Sequence, residues 1–212
     1  MRFLITAGGT REYIDPVRFI TNASSGRMGY ALAQAATRAG HKVTLVTAPV
    51  AQQIPDVAKI IKIVSAKEMF EAVRKNFPAC DCLIMAAAVA DYTPAKPSKT
   101  KVKKTGKTLT IKLKPTADIL KWAGQRKSKI INQKSKIVVG FALEDKNLRV
   151  NAERKLKEKH LDMIIANSPA AIGADKSSVQ FKTACCGWVK FKNASKIKTA
   201  EKIIRRIENL SL

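Results

Sequence analysis

Two glycine-containing turns near the start of the chain have the residue types that bind anionic groups. The first, "TAGGT", ends an apolar run, and its glycines at residues 8 and 9 would let backbone N–H groups approach a phosphate. The second, "SSGRMG", opens a helical pattern, with Ser24 or Ser25 as the expected N-cap. The sequence therefore predicts two anion-binding turns on either side of one long polar loop.

A tyrosine and a lysine at Tyr92 and Lys96 have the spacing of the catalytic pair of short-chain dehydrogenases. That pair must share one helix face, and Pro94 and Pro97 disfavour a helix there. The second predicted strand ends in "TLVTAP", without an acidic residue to hold the ribose of a dinucleotide. The pattern therefore argues against a dinucleotide-dependent dehydrogenase.

The rest of the sequence alternates short apolar runs, which we interpret as strands, with helical patterns. These strands and helices would hold the two turns in place. The runs have the near-continuous hydrophobicity of strands buried on both faces of a parallel sheet. The predicted strands are residues 2–6, 42–47, 59–64, 81–87, 136–142 and 162–167, and the predicted helices are residues 26–39, 67–77, 116–126, 147–159 and 195–210. The alternation predicts an α/β fold with a Rossmann-like, doubly wound parallel sheet.

Two segments break this alternation. Residues 88–114 form a Pro- and Lys-rich loop that leads into an alternating strand, and residues 177–192 have the pattern of a hairpin that turns near Gly187. Both fall outside the parallel-sheet pattern, so we expect a small antiparallel extension. Because the sequence has no internal repeat and no second domain boundary, we predict one domain over residues 1–212.

The chain is strongly basic, with 40 Lys and Arg against 16 Asp and Glu and a formal net charge of +24 over 212 residues. Such a charge fits a nucleic-acid-binding protein, an enzyme that draws polyanionic small molecules into a cleft, or a plain solvated surface. Aromatic residues make up 6% of the chain, and no RNA-binding signature is present, which argues against nucleic acid as the partner.

The sequence shows no feature of a secreted or membrane protein. It has no run of about eighteen apolar residues, and Met1 leads within one residue into the first strand, so we expect a cytoplasmic protein. The spacing of Cys80 with Cys82, and of Cys185 with Cys186, matches neither a zinc pair nor a disulfide framework. We therefore expect reduced thiols and no metal bound by His or Cys.

Six stretches spread over almost the whole chain carry a family resemblance. They are "ITAGGTREYIDPVRFITNASSGRMGYALA", "AAAVADY", "KVKK", "PTADIL", "GFALE" and "KLKEKHLDMIIAN". In their order and close to their spacing, they resemble the phosphopantothenoylcysteine synthetases. These are the ligases of coenzyme A biosynthesis that in many bacteria form the C-terminal half of a bifunctional flavoprotein.

The resemblance implies a two-step ligation. In this family the carboxylate of 4'-phosphopantothenate attacks the α-phosphorus of a nucleoside triphosphate, usually CTP. Pyrophosphate is released, and an acyl-nucleotide is formed. The amine of L-cysteine then displaces the nucleoside monophosphate. Mg²⁺ accompanies the triphosphate, and no flavin takes part. CTP is expected over ATP, although the residues alone leave that choice open.

The resemblance also assigns roles to residues. Asn22 and Lys101 correspond to a catalytic asparagine and a lysine on a mobile flap, and Asp91 is placed to meet the ribose or the magnesium ion. The expected substrate-binding residues are Gly8, Gly9, Thr10, Arg18, Ser24, Ser25 and Gly26. The expected nucleotide-binding residues are Ala86, Ala87, Ala88, Asp91, Lys101, Ala117, Asp118, Ile119, Leu120, Phe141, Lys155 and Lys159.

The residues by themselves leave plainer interpretations open. Asn22 could be a turn residue, Lys101 part of a solvated loop, and Phe141 a core residue. Lys155 and Lys159 are four residues apart on a predicted helix and so share one face, where a bound polyanion would relieve their repulsion.

Partners also follow from the resemblance. Family members are dimers, so we expect a homodimer with residues 102–114 and 177–192 as candidate contact segments. No decarboxylase precedes Met1, so a separate phosphopantothenoylcysteine decarboxylase is expected for the next step. We expect neither a membrane nor a nucleic acid as a partner.

Overall fold

The computed structural model describes residues 1–127 and 136–210. The strands are β1 (Arg2–Ala7), β2 (Arg11–Tyr13), β3 (Phe19–Thr21), β4 (Lys42–Thr47), β5 (Lys59–Lys62), β6 (Cys82–Met85), β7 (Tyr92–Pro94), β8 (Leu113–Pro115), β9 (Ile137–Leu143), β10 (Met163–Asn167), β11 (Lys176–Thr183) and β12 (Val189–Ser195). The helices are α1 (Arg27–Arg38), α2 (Ala66–Asn76), α3 (Ile119–Arg126), α4 (Leu148–Glu158) and α5 (Lys196–Glu208), with short 3₁₀ turns at Phe77–Ala79 and Pro169–Ala171.

A central sheet has the strand order β12-β11-β10-β9-β6-β1-β4-β5. The six strands from β10 to β5 are parallel. The chain runs outward from β1 through β4 to β5, then returns to β6 on the other side of β1 and continues through β9 to β10. This is the strand order of the Rossmann fold, and it confirms the predicted α/β class. The reversal beside β1 creates a crevice at the carboxyl ends of β1 and β6.

Alternating side chains of the buried strands supply two cores. On one face of the sheet, Phe3 and Ile5 of β1 pack with α1 and α5. On the other face, Leu4 packs with α2, α3 and α4. Each strand position therefore faces a helix layer, which explains the near-continuous hydrophobicity of these strands. Within the described residues, none of the helices combines the length and the hydropathy that crossing a membrane requires.

The hairpin at residues 177–192 corrects one expectation. We expected it outside the main sheet, but β11 pairs antiparallel with β10, and β12 pairs antiparallel with β11, so the hairpin extends the sheet at one edge. Alternate residues of β11 are buried, and Val179 and Phe181 join the core on the side of α5. The period of the strand was readable from sequence, whereas its pairing with β10 was not.

Two further small sheets lie outside the main one. The long polar loop contains a hairpin of β2 and β3, which the sequence did not predict, and β7 pairs with β8 within the Pro- and Lys-rich segment. Helix α1 begins after Gly26, which serves as the N-cap in a left-handed conformation with φ of 72°. The expectation that Ser24 or Ser25 caps this helix is therefore wrong.

Helices α3 and α4 approach each other closely at Gly124. A Cβ atom at this position would lie 1.8 Å from the backbone carbonyl oxygen of Lys159, which cannot move independently of its helix. We expect Gly124→Ala to lower the free energy of unfolding by about 3 kcal/mol, as measured by urea denaturation. Gly187→Ala is the control, because nothing lies within 4 Å of its Cβ position. Equal stability of the two variants would contradict this packing.

Candidate functional site

A cavity of about 860 Å³ opens at the carboxyl ends of β6, β9 and β10. Ligands of open α/β sheets bind at this edge, beside the reversal of strand order. Its walls include the start of α1, the segment after β6, the start of α3, one face of α4 and the start of α5. The predicted residues that line it are Asn22, Ser24, Ser25, Gly26, Ala86, Ala87, Ala88, Asp91, Ala117, Asp118, Ile119, Leu120, Phe141, Lys155 and Lys159.

The first glycine turn supports this cavity from behind. The Thr10 amide donates to the Ala88 carbonyl at 3.3 Å, and the Thr10 hydroxyl accepts from the Ala90 amide at 3.0 Å. Thr10 is fully buried. Its hydroxyl therefore holds the segment after β6 in place, and it is not exposed to a ligand as the sequence had suggested.

The two glycines of this turn make room for the chain itself. A Cβ at Gly9 would lie 2.8 Å from the Asn22 carbonyl oxygen, and a Cβ at Gly8 would lie 3.0 Å from the Ala48 carbonyl oxygen. Gly8 also has a φ of 83°, which side chains with a Cβ rarely adopt. The structure thus places Gly8 and Gly9 behind the cavity wall, where they admit the loop that carries Asn22.

The second glycine turn forms the wall directly. The side-chain amide of Asn22 donates to the Val89 carbonyl at 3.0 Å, so this residue joins the long loop to the segment after β6. Residues 22–29 line the cavity, and they include the first turn of α1. Backbone N–H groups at a helix N-terminus have no partner within the helix and favour an anion. The prediction of an anion-binding turn therefore has a structural basis at residues 24–29.

Two lysines line the opposite wall, Lys155 in the last turn of α4 and Lys159 as the C-cap of that helix. Lys155 Nζ donates to the Phe141 carbonyl at 2.7 Å, and Lys159 Nζ lies 2.9 Å from a carboxylate oxygen of Asp118. Burial, and then the nearby charge of Lys159, lowers the pKa of Lys155. The predicted pair therefore does share one face, and it concentrates positive charge in a partly desolvated place.

Two further cations also line the cavity, and the sequence analysis did not select either of them. Arg27 pairs with Asp175 at 2.5 Å, and Lys196 at the start of α5 donates to the Ala171 carbonyl at 3.0 Å. Burial, and then the charge of Arg27, lowers the pKa of Lys196. Arg27 could have been found from its place in "SSGRMG", next to the predicted N-cap. Lys196 belongs to a helix far along the chain and has no local signal.

Asp118 has a structural task in this wall. It is the N-cap of α3, accepting from the Lys121 amide at 2.9 Å, and it pairs with Lys159. Burial alone would raise its pKa, but the bonds from Lys159 and Lys121 outweigh it and hold the pKa of Asp118 below its ordinary value. Asp118 therefore fixes the relative positions of α3 and α4 at the cavity.

The wall between these charged groups is small and apolar. Ala86, Ala87 and Ala88 follow β6, and Phe141 of β9 is half-buried, so that it packs against the core while also facing the cavity. Ile119 and Leu120 are almost fully buried. Their side chains pack into the core, so this part of the wall presents mainly backbone to the cavity.

Arg18 and Lys101 do not line this cavity in the described conformation. Arg18 and Val102, the residue after Lys101, both bond to Asp15, a carboxylate that is only 1% exposed. Asp15 accepts from the Arg18 Nε at 3.0 Å and from the Val102 amide at 3.1 Å, and Arg18 also donates to the Val102 carbonyl. The guanidinium group of Arg18, a residue expected to bind substrate, is therefore occupied by Asp15 and Val102.

Asp15 is thus a junction that the sequence analysis missed. Burial alone would raise its pKa, but hydrogen bonds from Val17, Arg18 and Val102 outweigh burial and hold the pKa of Asp15 well below its ordinary value. The signal in the sequence was "DPVR", in which the aspartate and the arginine are three residues apart. Through Val102, this junction connects the Lys101 segment to the loop that carries Asn22.

Comparisons with known proteins agree with the fold and the motifs. A sequence profile of the family described as DNA/pantothenate metabolism flavoprotein C-terminal domain matches residues 1–210. The coenzyme A biosynthesis bifunctional protein CoaBC of Bacillus subtilis (strain 168) is 47% identical over 172 residues, which is 81% of this chain and 41% of that protein. The crystal structure of the C-terminal domain of a CoaBC protein superposes with a TM-score of 0.82 at 35% identity, covering 99% of this chain and 94% of that one.

A relative with a different name also matches. A protein named cysteine/cysteine sulfinic acid decarboxylase, from an unknown prokaryotic organism, is 43% identical over 214 residues, covering 99% of this chain and 58% of that protein. The chain thus spans about half the length of these curated relatives. Because the family profile matches almost the whole sequence, and a solved C-terminal domain superposes over nearly its full length, the chain belongs to the DNA/pantothenate metabolism flavoprotein C-terminal domain family.

Proposed function

We propose that this protein is a phosphopantothenate–cysteine ligase of coenzyme A biosynthesis. The observation that carries the proposal is one cavity with the α1 N-terminus and four cations around a small apolar wall. Such a cavity suits two phosphorylated molecules held close together, one of them with a flat base. The names of the relatives, which include CoaBC proteins of coenzyme A biosynthesis, support the same activity.

We assign 4'-phosphopantothenate to the wall formed by residues 22–29, where the helix N-terminus favours its charge. The nucleotide takes the apolar wall, with its base against Phe141 and the start of α3 and its triphosphate toward Lys155 and Lys159. The pantothenate carboxylate then lies beside the α-phosphorus. Holding the two reactants together in this way supplies much of the rate enhancement.

The chemistry follows in two steps. The carboxylate attacks the α-phosphorus, the bond to pyrophosphate breaks, and the cations of α4 stabilise the departing charge. The cysteine amine then attacks the acyl carbon and gives up one proton to solvent, and the nucleoside monophosphate leaves with the electrons of the C–O bond that joined it to the acyl group. We assign the second N–H of the Asn22 side-chain amide, whose first donates to the Val89 carbonyl, to the oxyanion of this step. We propose CTP as the nucleotide.

A magnesium ion fits this cavity when the nucleotide brings it. Asp91 lines the wall, and Mg²⁺ ordinarily binds to one or two carboxylates together with substrate phosphates. Among the residues that the structure describes, no three His, Cys, Asp or Glu side chains cluster as a metal site. When bound, the ion would supply charge neutralisation at the phosphates.

We also propose a homodimer. Large apolar side chains are exposed on the two small hairpins and the segment that joins β7 to β8, among them Tyr13, Phe19, Leu109 and Leu113. Exposed apolar groups in one region mark a protein contact. Light scattering during gel filtration should give twice the monomer mass of 23.2 kDa, and a monomer mass would contradict the proposal.

The ligase assignment is tested with 4'-phosphopantothenate, L-cysteine, Mg²⁺ and either CTP or ATP, followed by mass spectrometry. We expect phosphopantothenoylcysteine, with faster formation from CTP. The same spectrum separates the activity that one relative's name suggests, because a decarboxylase would give a product lighter by carbon dioxide. The absence of amide product from folded protein with either nucleotide would contradict the proposal.

Binding of the triphosphate should take up protons at pH values below the ordinary lysine pKa. The pKa of Lys155 is lowered, so part of its population is uncharged below the ordinary lysine pKa of about 10.4, and a neighbouring polyanion raises this pKa again. Affinity for Mg–CTP should accordingly fall as the pH rises through the lowered pKa. Calorimetry in two buffers of different ionisation enthalpy counts these protons.

The matched variants for this titration are both on α4. Lys155→Met should reduce the proton uptake, whereas Lys157→Met should leave it unchanged, because Lys157 does not line the cavity. Equal proton uptake by the wild type and Lys155→Met would show that Lys155 does not face the phosphates.

A further inference from the structure

The turn between β11 and β12 exposes two adjacent thiols. The Sγ atoms of Cys185 and Cys186 lie 3.6 Å apart, and both residues are exposed. The other two cysteines, Cys80 and Cys82, are buried in or beside β6. The turn lies apart from the cavity described above, whose walls include neither exposed cysteine. The proposed ligase reaction gives this pair no task.

Polar groups around the pair favour the thiolate form. The Thr183 hydroxyl lies 3.6 Å from the Cys185 sulfur. The Thr183 hydroxyl, the Cys185 thiol and the Arg206 guanidinium of α5 together lower the pKa of Cys186. Within the described part of the chain, the Nε atom of Arg206 is buried and has no hydrogen-bond partner. A thiolate, unlike a thiol, is a good nucleophile.

The buried cysteines have the opposite surroundings. Burial raises the pKa of Cys80 to about 12, and burial likewise raises the pKa of Cys82. Thiols of this kind are inert to oxidants. The four cysteines of the chain therefore divide into an unreactive buried pair and an accessible adjacent pair, and the first provides an internal control for the second.

We propose that Cys185 and Cys186 form a reversible oxidation site, at which hydrogen peroxide converts the two thiols into a disulfide between adjacent residues. The Cys186 thiolate attacks a peroxide oxygen, the O–O bond breaks, and Cys186 becomes a sulfenic acid as the first water leaves after protonation. The Cys185 sulfur then attacks the Cys186 sulfur, and the S–O bond breaks with loss of the second water. The two thiols lose two electrons, which the peroxide takes.

Such a bond would be readily reversed. Consecutive Cα atoms are about 3.8 Å apart across a trans peptide, closer than the roughly 4.4–6.8 Å of ordinary disulfides. Strained and exposed disulfides are the easily reduced ones. The site is therefore suited to reversible modification and not to stabilising the hairpin, and a small thiol returns it to the reduced state.

The test uses the whole protein, a limiting amount of hydrogen peroxide, alkylation of the remaining thiols and trypsin digestion. Cleavage after Lys182 and Lys190 leaves both thiols in one peptide, "TACCGWVK". We expect this peptide to be unalkylated and about 2 Da lighter than its reduced form. After treatment with a thiol, it should take up two alkyl groups. Cys80 and Cys82 should remain reduced throughout.

Single-cysteine variants show which cysteine attacks the peroxide and which attacks the resulting sulfenic acid. In Cys185→Ser, Cys186 should accumulate as a sulfenic acid that dimedone traps, whereas Cys186→Ser should react with peroxide more slowly. A peptide that stays fully alkylatable, carries sulfinic acid on one cysteine, or links two chains would overturn the proposed disulfide. Equal peroxide reactivity of the two variants would overturn the assignment of Cys186 as the attacking thiol.

Discussion

Lys101→Gln is expected to lower the rate of pyrophosphate release by about 100- to 1000-fold, the effect of removing one group that stabilises transition-state charge. Lys101 is exposed, and the next residue, Val102, is bonded to Asp15 and Arg18. The segment therefore has a fixed attachment to the loop that carries Arg18 and Asn22, and we expect the exposed Lys101 side chain to turn toward the phosphates when they bind. Measurement of pyrophosphate release at saturating substrates gives the effect on turnover.

The matched control is Lys104→Gln in the same lysine-rich segment. Lys104 is also exposed, so both variants remove one unit of positive charge from the same solvated loop. We expect Lys104→Gln to keep the wild-type rate, and both variants to keep the wild-type melting temperature. If the two variants lost activity equally, the effect would come from the charge of the segment and not from Lys101.

Asp15→Asn is expected to lower kcat/KM for 4'-phosphopantothenate by roughly 10- to 100-fold, the loss that follows from a misplaced reacting group. Asp15 touches no part of the cavity wall, so it acts as a positioning residue. Its carboxylate accepts from the Val17, Arg18 and Val102 amides as well as from the Arg18 guanidinium. An asparagine amide cannot accept all of these bonds, so the Lys101 segment should detach from the loop that carries Arg18 and Asn22.

Limited trypsin digestion measures this detachment independently of any activity assay. The variant should be cleaved faster than the wild type in the segment from Lys101 to Lys104, and Asp56→Asn, at an exposed carboxylate, should not be. Unchanged cleavage together with unchanged kcat/KM would show that Asp15 does not hold the segment.

The pH dependence of stability adds a second readout for Asp15. Its folded-state pKa is depressed, so its contribution to stability is present above the ordinary aspartate pKa of about 3.9 and is lost as the pH falls toward the lower folded-state value. The wild type should therefore lose more stability than Asp15→Asn on acidification through that window. Parallel acid-unfolding curves would contradict the depressed pKa.

The main sheet was predictable because most of its strands can be recognised from a short stretch of sequence alone. Each parallel strand is a short, continuous apolar run, and the helices between the strands have their own period, so the Rossmann-like fold follows from the sequence. The edge hairpin was predictable only in part. Alternation along residues 177–192 is local, but its antiparallel pairing with β10 depends on contacts between separate segments.

The residues of the candidate site were likewise predictable where the signal is local and not where it depends on contacts between distant segments. The start of α1 and the paired lysines of α4 follow from spacing within one element, and the structure places them on one cavity. Gly9 illustrates what sequence cannot separate, because a glycine that admits a phosphate and one that admits the Asn22 carbonyl look the same. Lys196 reaches the cavity only through the tertiary fold, so no local pattern could reveal it.

The central claim is the two-step ligation, and leaving out cysteine tests it most directly. The protein is mixed with 4'-phosphopantothenate, Mg²⁺ and CTP or ATP, and the products are weighed before and after cysteine is added. We predict pyrophosphate release, accumulation of an acyl-nucleotide, and its conversion to phosphopantothenoylcysteine on addition of cysteine. No pyrophosphate from folded protein with either nucleotide, or release that does not require 4'-phosphopantothenate, would contradict the account.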